Sequence, residues 1–224
     1  MKYTKSYEPP ILTVDSVIFQ VHTQVEVLLQ KREHAPFQGT WALPGGYSSR
    51  GETTLEALER IVFDKAGVSL EKDLQHTEQL FTFDTVARDP RGHAVSITYL
   101  SCGVDITPKT RYHAVQFFPI NELPDLAFDH KKIIDYALGR IQSKLGYSTI
   151  VRTFLPNEFT FSQLQSTYEI VLSKPLDKRN FRKKIQELDI IEETGNMWRQ
   201  GAHRPAKLYR FKGKSVTHLE NSFR

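Results

Sequence analysis

The stretch GGYSSRGETTLEALERIVFDKAGV, residues 45–68, decides the reading of the fold. It follows Trp41-Ala42-Leu43-Pro44, and its two leading glycines allow a turn that side chains would obstruct. Thr53 and Thr54 follow Glu52 and can cap a helix, on which Leu55, Leu58 and Val62 recur at helical spacing. Gly67 ends that helix and Val68 returns to the core. The order is strand, loop, helix.

Working outward, Ile11 to Phe19 and Val25 to Gln30 predict two strands around a short polar turn at His22, Thr23 and Gln24. Arg32, just beyond the second, can hold a phosphate or carboxylate through two hydrogen bonds. After the helix, Leu80 to Phe83 and Ala94 to Cys102 predict further strands, joined by the turn Ala87-Arg88-Asp89-Pro90-Arg91-Gly92-His93. Two arginines and an acid on one tight loop can embrace an anion, although a charged solvated hairpin tip has the same composition. Gln116 to Pro119 is another strand, and Asn121 to Pro124 is expected to begin a helical region. A longer helix is expected to open at Phe128-Asp129-His130 and run to about Leu145, its apolar side formed by Ile133, Ile134, Ala137 and Leu138.

The last third is built differently. Thr160-Phe161-Ser162-Gln163 is a capping-box pattern with Leu164, Tyr168 and Leu172 behind it. Asp177 can cap another helix, Lys178 to Leu188, with Phe181, Ile185 and Leu188 on one face and Arg179, Arg182, Lys183 and Gln186 opposite. A strand over Ile190 to Thr194, a basic loop from Gly195 to Pro205 and a strand over Ala206 to Phe211 complete it. Helix, turn, helix and ribbon predict a winged helix-turn-helix, whose second helix enters the major groove while the wing touches backbone or minor groove. A small α+β dimerisation or substrate-capping domain is the alternative.

Composition agrees with two modest domains in 224 residues. With 39% apolar and 25% charged residues the chain reads as an ordinary soluble protein. No run approaches a membrane span and MKYTKSYEPP has no apolar signal core, so a cytoplasmic location without membrane partners is expected. The single cysteine, Cys102, excludes an internal disulfide and is expected as a buried thiol. Of the net charge of +4, residues 150–224 carry +6, from 14 Lys or Arg against 8 Asp or Glu, which leaves −2 for residues 1–149. A polyanion would bind the last third.

Residues 45–68 resemble a Nudix box: Gly46, Glu52, Arg60, Val62, Gly67 and Val68 stand where its pattern requires, but Ile61, Asp64 and Lys65 occupy the places of three glutamates. In Nudix enzymes that side of the helix holds the divalent metals that polarise a pyrophosphate. One carboxylate beside the Lys65 ammonium predicts a fold kept and a reaction lost, with no catalytic residues and no metal site. The alternative is a variant hydrolase recruiting Glu52, Glu56 or Glu59.

Taken with LDKRNFRKKIQELDIIEETG and HRPAKLYRF, the whole chain resembles the Nudix-related transcriptional regulators of the NrtR family. The implied fold is α/β (α+β): a Nudix α/β/α sandwich over residues 1–146, followed by a small winged helix-turn-helix over 147–224. The resemblance implies a homodimeric repressor on double-stranded operator DNA, often controlling NAD biosynthesis, which needs no cofactor and answers to ADP-ribose or a related nucleotide. Some relatives instead sense sugars and control pentose catabolism. By position, Arg179, Asn180, Arg182, Lys183, Arg204 and Lys207 are the expected DNA contacts. Arg32, Gly45, Gly46, Glu52, Arg60, Arg88 and Arg91 are the expected effector contacts. Two rivals remain: an active hydrolase of ADP-ribose or another nucleoside diphosphate derivative, and a sensor acting through a protein partner.

Overall fold

The computed structural model describes residues 8–110, 114–199 and 205–219. Its first unit is a seven-stranded mixed sheet. Strands β1 (Ile11–Val21), β2 (Val25–Lys31), β3 (Trp41–Ala42), β4 (Gly45–Tyr47), β5 (His76–Phe83), β6 (Ala94–Cys102) and β7 (Val115–Pro119) form it. The main path runs β3-β2-β1-β6-β5, with β4 on β1 and β7 on β2. The β1–β6 pairing is parallel and the rest are antiparallel.

Side-chain alternation splits β1 between two cores. Val14 and Ile18 meet Leu58, Ile61 and Val62 of helix α1 (Thr54–Ala66) on one face. Val17 and Phe19 meet Ile133, Ile134, Ala137 and Ile141 of helix α2 (His130–Leu145) on the other. The expected α/β/α layering follows.

Local chemistry sets the ends of α1. The Thr53 side chain accepts from the Glu56 N–H, and Glu56 accepts from the Thr53 N–H, closing a capping box. Gly67 ends the helix at φ 63°, and a Cβ there would come within 2.7 Å of the Lys109 backbone. Leu55, expected on the apolar side, is exposed, because the buried stripe runs through Ala57, Leu58, Ile61, Val62 and Ala66.

The second unit begins with a 3₁₀ turn at Ile150–Phe154 and contains helices α3 (Phe161–Leu172) and α4 (Lys178–Leu188). A three-stranded sheet completes it, β8 (Phe159–Thr160), β10 (Ala206–Phe211) and β9 (Ile191–Trp198) in that spatial order. Leu164 and Tyr168 of α3 and Phe181 and Ile185 of α4 belong to the same core as α2 and the first sheet. Gln142 of α2 donates to the Val171 carbonyl at 2.9 Å, so the two units pack as neighbours.

Several expected boundaries are corrected. Residues 121–124 are not helical: a turn over residues 119–122 is closed by the Glu122 N–H on the Pro119 carbonyl, and residues 123 and 124 are irregular. Helix α2 starts at His130, since Phe128 sits at φ 55°, outside helical space. β5 begins four residues before Leu80, at His76, and β9 continues through Trp198, so the expected basic loop is shorter at its start. Cys102 is buried in the core, where burial pushes its thiol up to about 12. Among the described residues no helix is long and apolar enough to cross a membrane.

Candidate functional site

β1, β2, β4, α1, the 84–93 turn and the start of α2 surround a cavity of about 520 Å³, within the usual range for a small-molecule site. Arg32, Gly45, Gly46, Arg60, Arg88 and Arg91, all expected from the sequence, line it. Glu52 does not, being held beside it by Arg60 at 2.5 and 3.0 Å. That hydrogen bond, with the Ser49 N–H, lowers the Glu52 carboxyl to about 2.

The 84–93 turn is exposed over residues 84–87 and 90–93, as a solvated tip would be, but its centre is not. Arg88 and Asp89 are buried. Arg88 donates to Asp129 at 2.8 and 3.1 Å and to Asp15 at 3.4 Å. It ties β1 to the residue preceding α2, and Asp129 consequently makes no helix cap with its side chain. Arg91 grips Asp89 at 2.6 and 2.9 Å and donates to the Tyr47 hydroxyl at 2.5 Å, with its guanidinium 5.4 Å from the Tyr47 ring. The Arg91 partner holds the Asp89 carboxyl below its ordinary range.

Sequence reasoning missed four contributors. Asp15, which lines the cavity, accepts from the Ser96 hydroxyl at 2.6 Å, and a Cβ on Gly45 would strike it at 1.9 Å. A lone acid inside the apolar run ILTVDSVIF was the available signal. Phe128 lies under the Arg32 guanidinium at 4.7 Å. The His130 ring accepts from the Leu43 N–H at 2.9 Å through Nδ1, and burial lowers its pKa. Lys65, expected only to oppose a metal, lines the cavity and donates to the Gly45 carbonyl at 2.5 Å. Burial is the main cause of its lowered pKa.

A second candidate face lies on α4. Arg179, Asn180, Arg182 and Lys183 are all exposed opposite the buried Phe181 and Ile185. The Arg182 guanidinium stacks over Phe161 at 4.5 Å, which restricts where it can reach. Lys207 on β10 is exposed but paired with Glu193 at 2.8 Å. Arg204 and its neighbour His203 lie outside the described residues.

The NUDIX domain family matches residues 9–137, and the family described as the NrtR DNA-binding winged helix domain matches residues 151–211. The ADPR responsive transcriptional repressor NtrR of Acinetobacter baylyi is 33% identical over 222 residues, covering 94% of this chain and 86% of that protein. The chain belongs to the NrtR family. The crystal structure of Shewanella oneidensis NrtR complexed with a 27mer DNA superposes with a TM-score of 0.80 at 31% identity, covering 95% of this chain and 99% of that one. The ADP-ribose pyrophosphatase of Methanocaldococcus jannaschii is 37% identical over 140 residues, 61% of this chain and 78% of that protein.

The Nudix fold raises the question of a divalent cation, and in this NrtR-family chain the donor set does not fit one. Ile61 is buried with its Cδ1 under Gly46, Lys65 brings a positive charge, and Asp64 is the one carboxylate left among the three box positions. Among the described residues no group of three or more His, Cys, Asp or Glu side chains could hold a metal ion. Hard cations need several oxygen ligands, and an ammonium repels them.

Proposed function

We propose that this protein is a ligand-responsive DNA-binding transcriptional repressor and not a hydrolase. ADP-ribose or a related nucleotide is its effector, taken up in the cavity of residues 1–146. Residues 147–224 read operator DNA in a homodimer, and the regulated genes serve NAD metabolism. The observation that carries this reading is the α4 face, four exposed polar or basic side chains whose helix is seated in the same core as the sheet that lines the cavity. Such a helix suits a major groove, with its charges on phosphates and base edges. The pyrophosphatase likeness covers 61% of the chain, and Ile61 and Lys65 stand against turnover.

Regulation requires that the effector bind the DNA-incompetent arrangement more tightly. Helix α2 is the proposed carrier, because His130 and the Arg88–Asp129 pair lie at its cavity end and α3 packs on its flank. A gel shift on DNA upstream of the protein's own gene and its neighbours, with and without ADP-ribose, tests the reading. The expected result is a shift abolished by ADP-ribose, with no AMP released when Mg²⁺ is added. A shift indifferent to ADP-ribose moves the search to sugars or other nucleotides. No shift at low salt removes the repressor.

A further inference from the structure

Among the described cations lining the cavity, Arg32 and Lys65 make no ion pair with a carboxylate, although Asp15, Glu33 and Asp64 also line it. Arg60, Arg88 and Arg91 each face a carboxylate, Glu52, Asp129 and Asp89 respectively. Arg32 and Lys65 differ. Their side chains donate to backbone carbonyls, Arg32 to Pro36 at 2.8 Å and His34 at 3.3 Å, and Lys65 to Gly45 at 2.5 Å. An ammonium and a guanidinium carry more N–H groups than these bonds use, so both keep donors for a ligand.

Both groups are partly buried, and burial is the main cause of the lowered Lys65 pKa, with Asp15 and Glu33 attracting its charge and Arg32 repelling it. Two like charges held this way in a semi-enclosed space are relieved by a ligand that brings negative charge to both. The shapes are complementary. A guanidinium, here backed by the Phe128 ring at 4.7 Å, offers a flat fork to one phosphoryl group, and an ammonium offers a point charge to the next. Ile61 meanwhile fills one glutamate place of the box with buried methyl groups, and the Lys65 ammonium stands in another.

We propose that Lys65 and Arg32 form a diphosphate subsite that works without a divalent cation, the Lys65 ammonium supplying in place the positive charge that metal ions supply in hydrolysing Nudix proteins. The subsite rests on the reading of this cavity as the effector site. It turns the loss of one box glutamate into a binding device: the lysine standing in its place opposes a metal ion and supplies the anion contact.

The test is calorimetric titration of the full-length protein with inorganic pyrophosphate and with ADP-ribose, in EDTA and then in Mg²⁺. Both ligands bind in EDTA; Mg²⁺ leaves the ADP-ribose affinity nearly unchanged and, because it complexes free pyrophosphate, does not strengthen pyrophosphate binding. Lys65→Met weakens both by about tenfold or more, the scale of one hydrogen bond to a charged group, and Lys65→Arg recovers much of the pyrophosphate affinity. Arg32→Gln carries the same expectation, should Lys65→Met not fold.

Failure to bind pyrophosphate in EDTA, or ADP-ribose binding that requires Mg²⁺, overturns the subsite and leaves the effector reading standing. Undiminished binding by a folded Lys65→Met protein overturns it as well. Pyrophosphate binding that depends on Lys65, with no binding of ADP-ribose, supports the subsite and removes ADP-ribose as the effector.

Discussion

Arg88→Met should unfold this protein more readily than any surface substitution. The Arg88 side chain is 4% exposed, and its partners Asp15 and Asp129 are 8% and 13% exposed. Methionine preserves the length of the side chain but removes the guanidinium, leaving two carboxylates with little solvent and one fewer cation. Removing one partner of a buried ion pair costs about 3–5 kcal/mol, because the remaining charge stays desolvated. For a chain of this size about 2–4 °C of melting temperature is lost per kcal/mol, so the midpoint should fall by about 6 °C or more.

Urea unfolding followed by tryptophan fluorescence measures the loss, and Asp129→Asn provides the control. In the Arg88→Met background it removes one of the stranded charges, so the double variant should be less destabilised than the sum of the singles. If α2 is the carrier of the signal, Arg88→Met also weakens the effect of ADP-ribose on DNA release while the α4 face still binds operator. A stability loss under about 1 kcal/mol, or strictly additive single variants, would refute the reasoning, since either means that solvent already shields the carboxylates.

Arg179→Ala with Arg182→Ala should weaken operator binding by about 1–3 kcal/mol for each side chain that reads a base edge, and fluorescence anisotropy across a salt series should give a shallower slope if either group meets a phosphate. Lowering pH should destabilise the protein through His130. Burial lowers its pKa in the fold, so the neutral ring is favoured there, and its contribution is full above the unfolded value of about 6.5 and is lost as pH falls below it. Melting temperatures between pH 7.5 and 5.5 check this, and His130→Gln should flatten the profile. An identical pH dependence in that variant would place the titration elsewhere.

Much of the fold was legible because helices and strands announce themselves locally. The Thr53 and Thr160 capping boxes, the Gly67 stop and the Lys178–Leu188 helix all follow from residues within a few positions of one another. The ends that were misplaced depend on partners far away in the chain. β9 runs on to Trp198 because Ala206 and Lys207 pair with Trp198 and Met197 across the wing, and no residue within 190–198 encodes that length. The expected helix at Asn121–Pro124 gives way to a turn over residues 119–122 at the end of β7, whose residue Pro119 pairs with Glu26.

The candidate site divides in the same way. Gly45, Gly46, Glu52 and Arg60 could be named from one motif, yet the motif alone could not say that Glu52 and Arg60 bind each other at the cavity's edge. Arg88 and Arg91 could be named as a pair on one loop, although one is buried against residues 41 and 73 positions distant and the other reaches over Tyr47.

Residue order was enough to establish a box that keeps Glu52 but has other residues in the places of three further glutamates, a basic last third and the succession of elements, because those depend on side-chain identity and on spacing along one helix or strand. Which of the gathered charges are cancelled could be read only from the folded chain. Coulomb attraction and hydrogen bonding act over a few ångströms of space, whatever the distance in sequence, and only the packing of α1 and α2 on the sheet leaves Arg32 and Lys65 turned toward one cavity while their neighbours are neutralised.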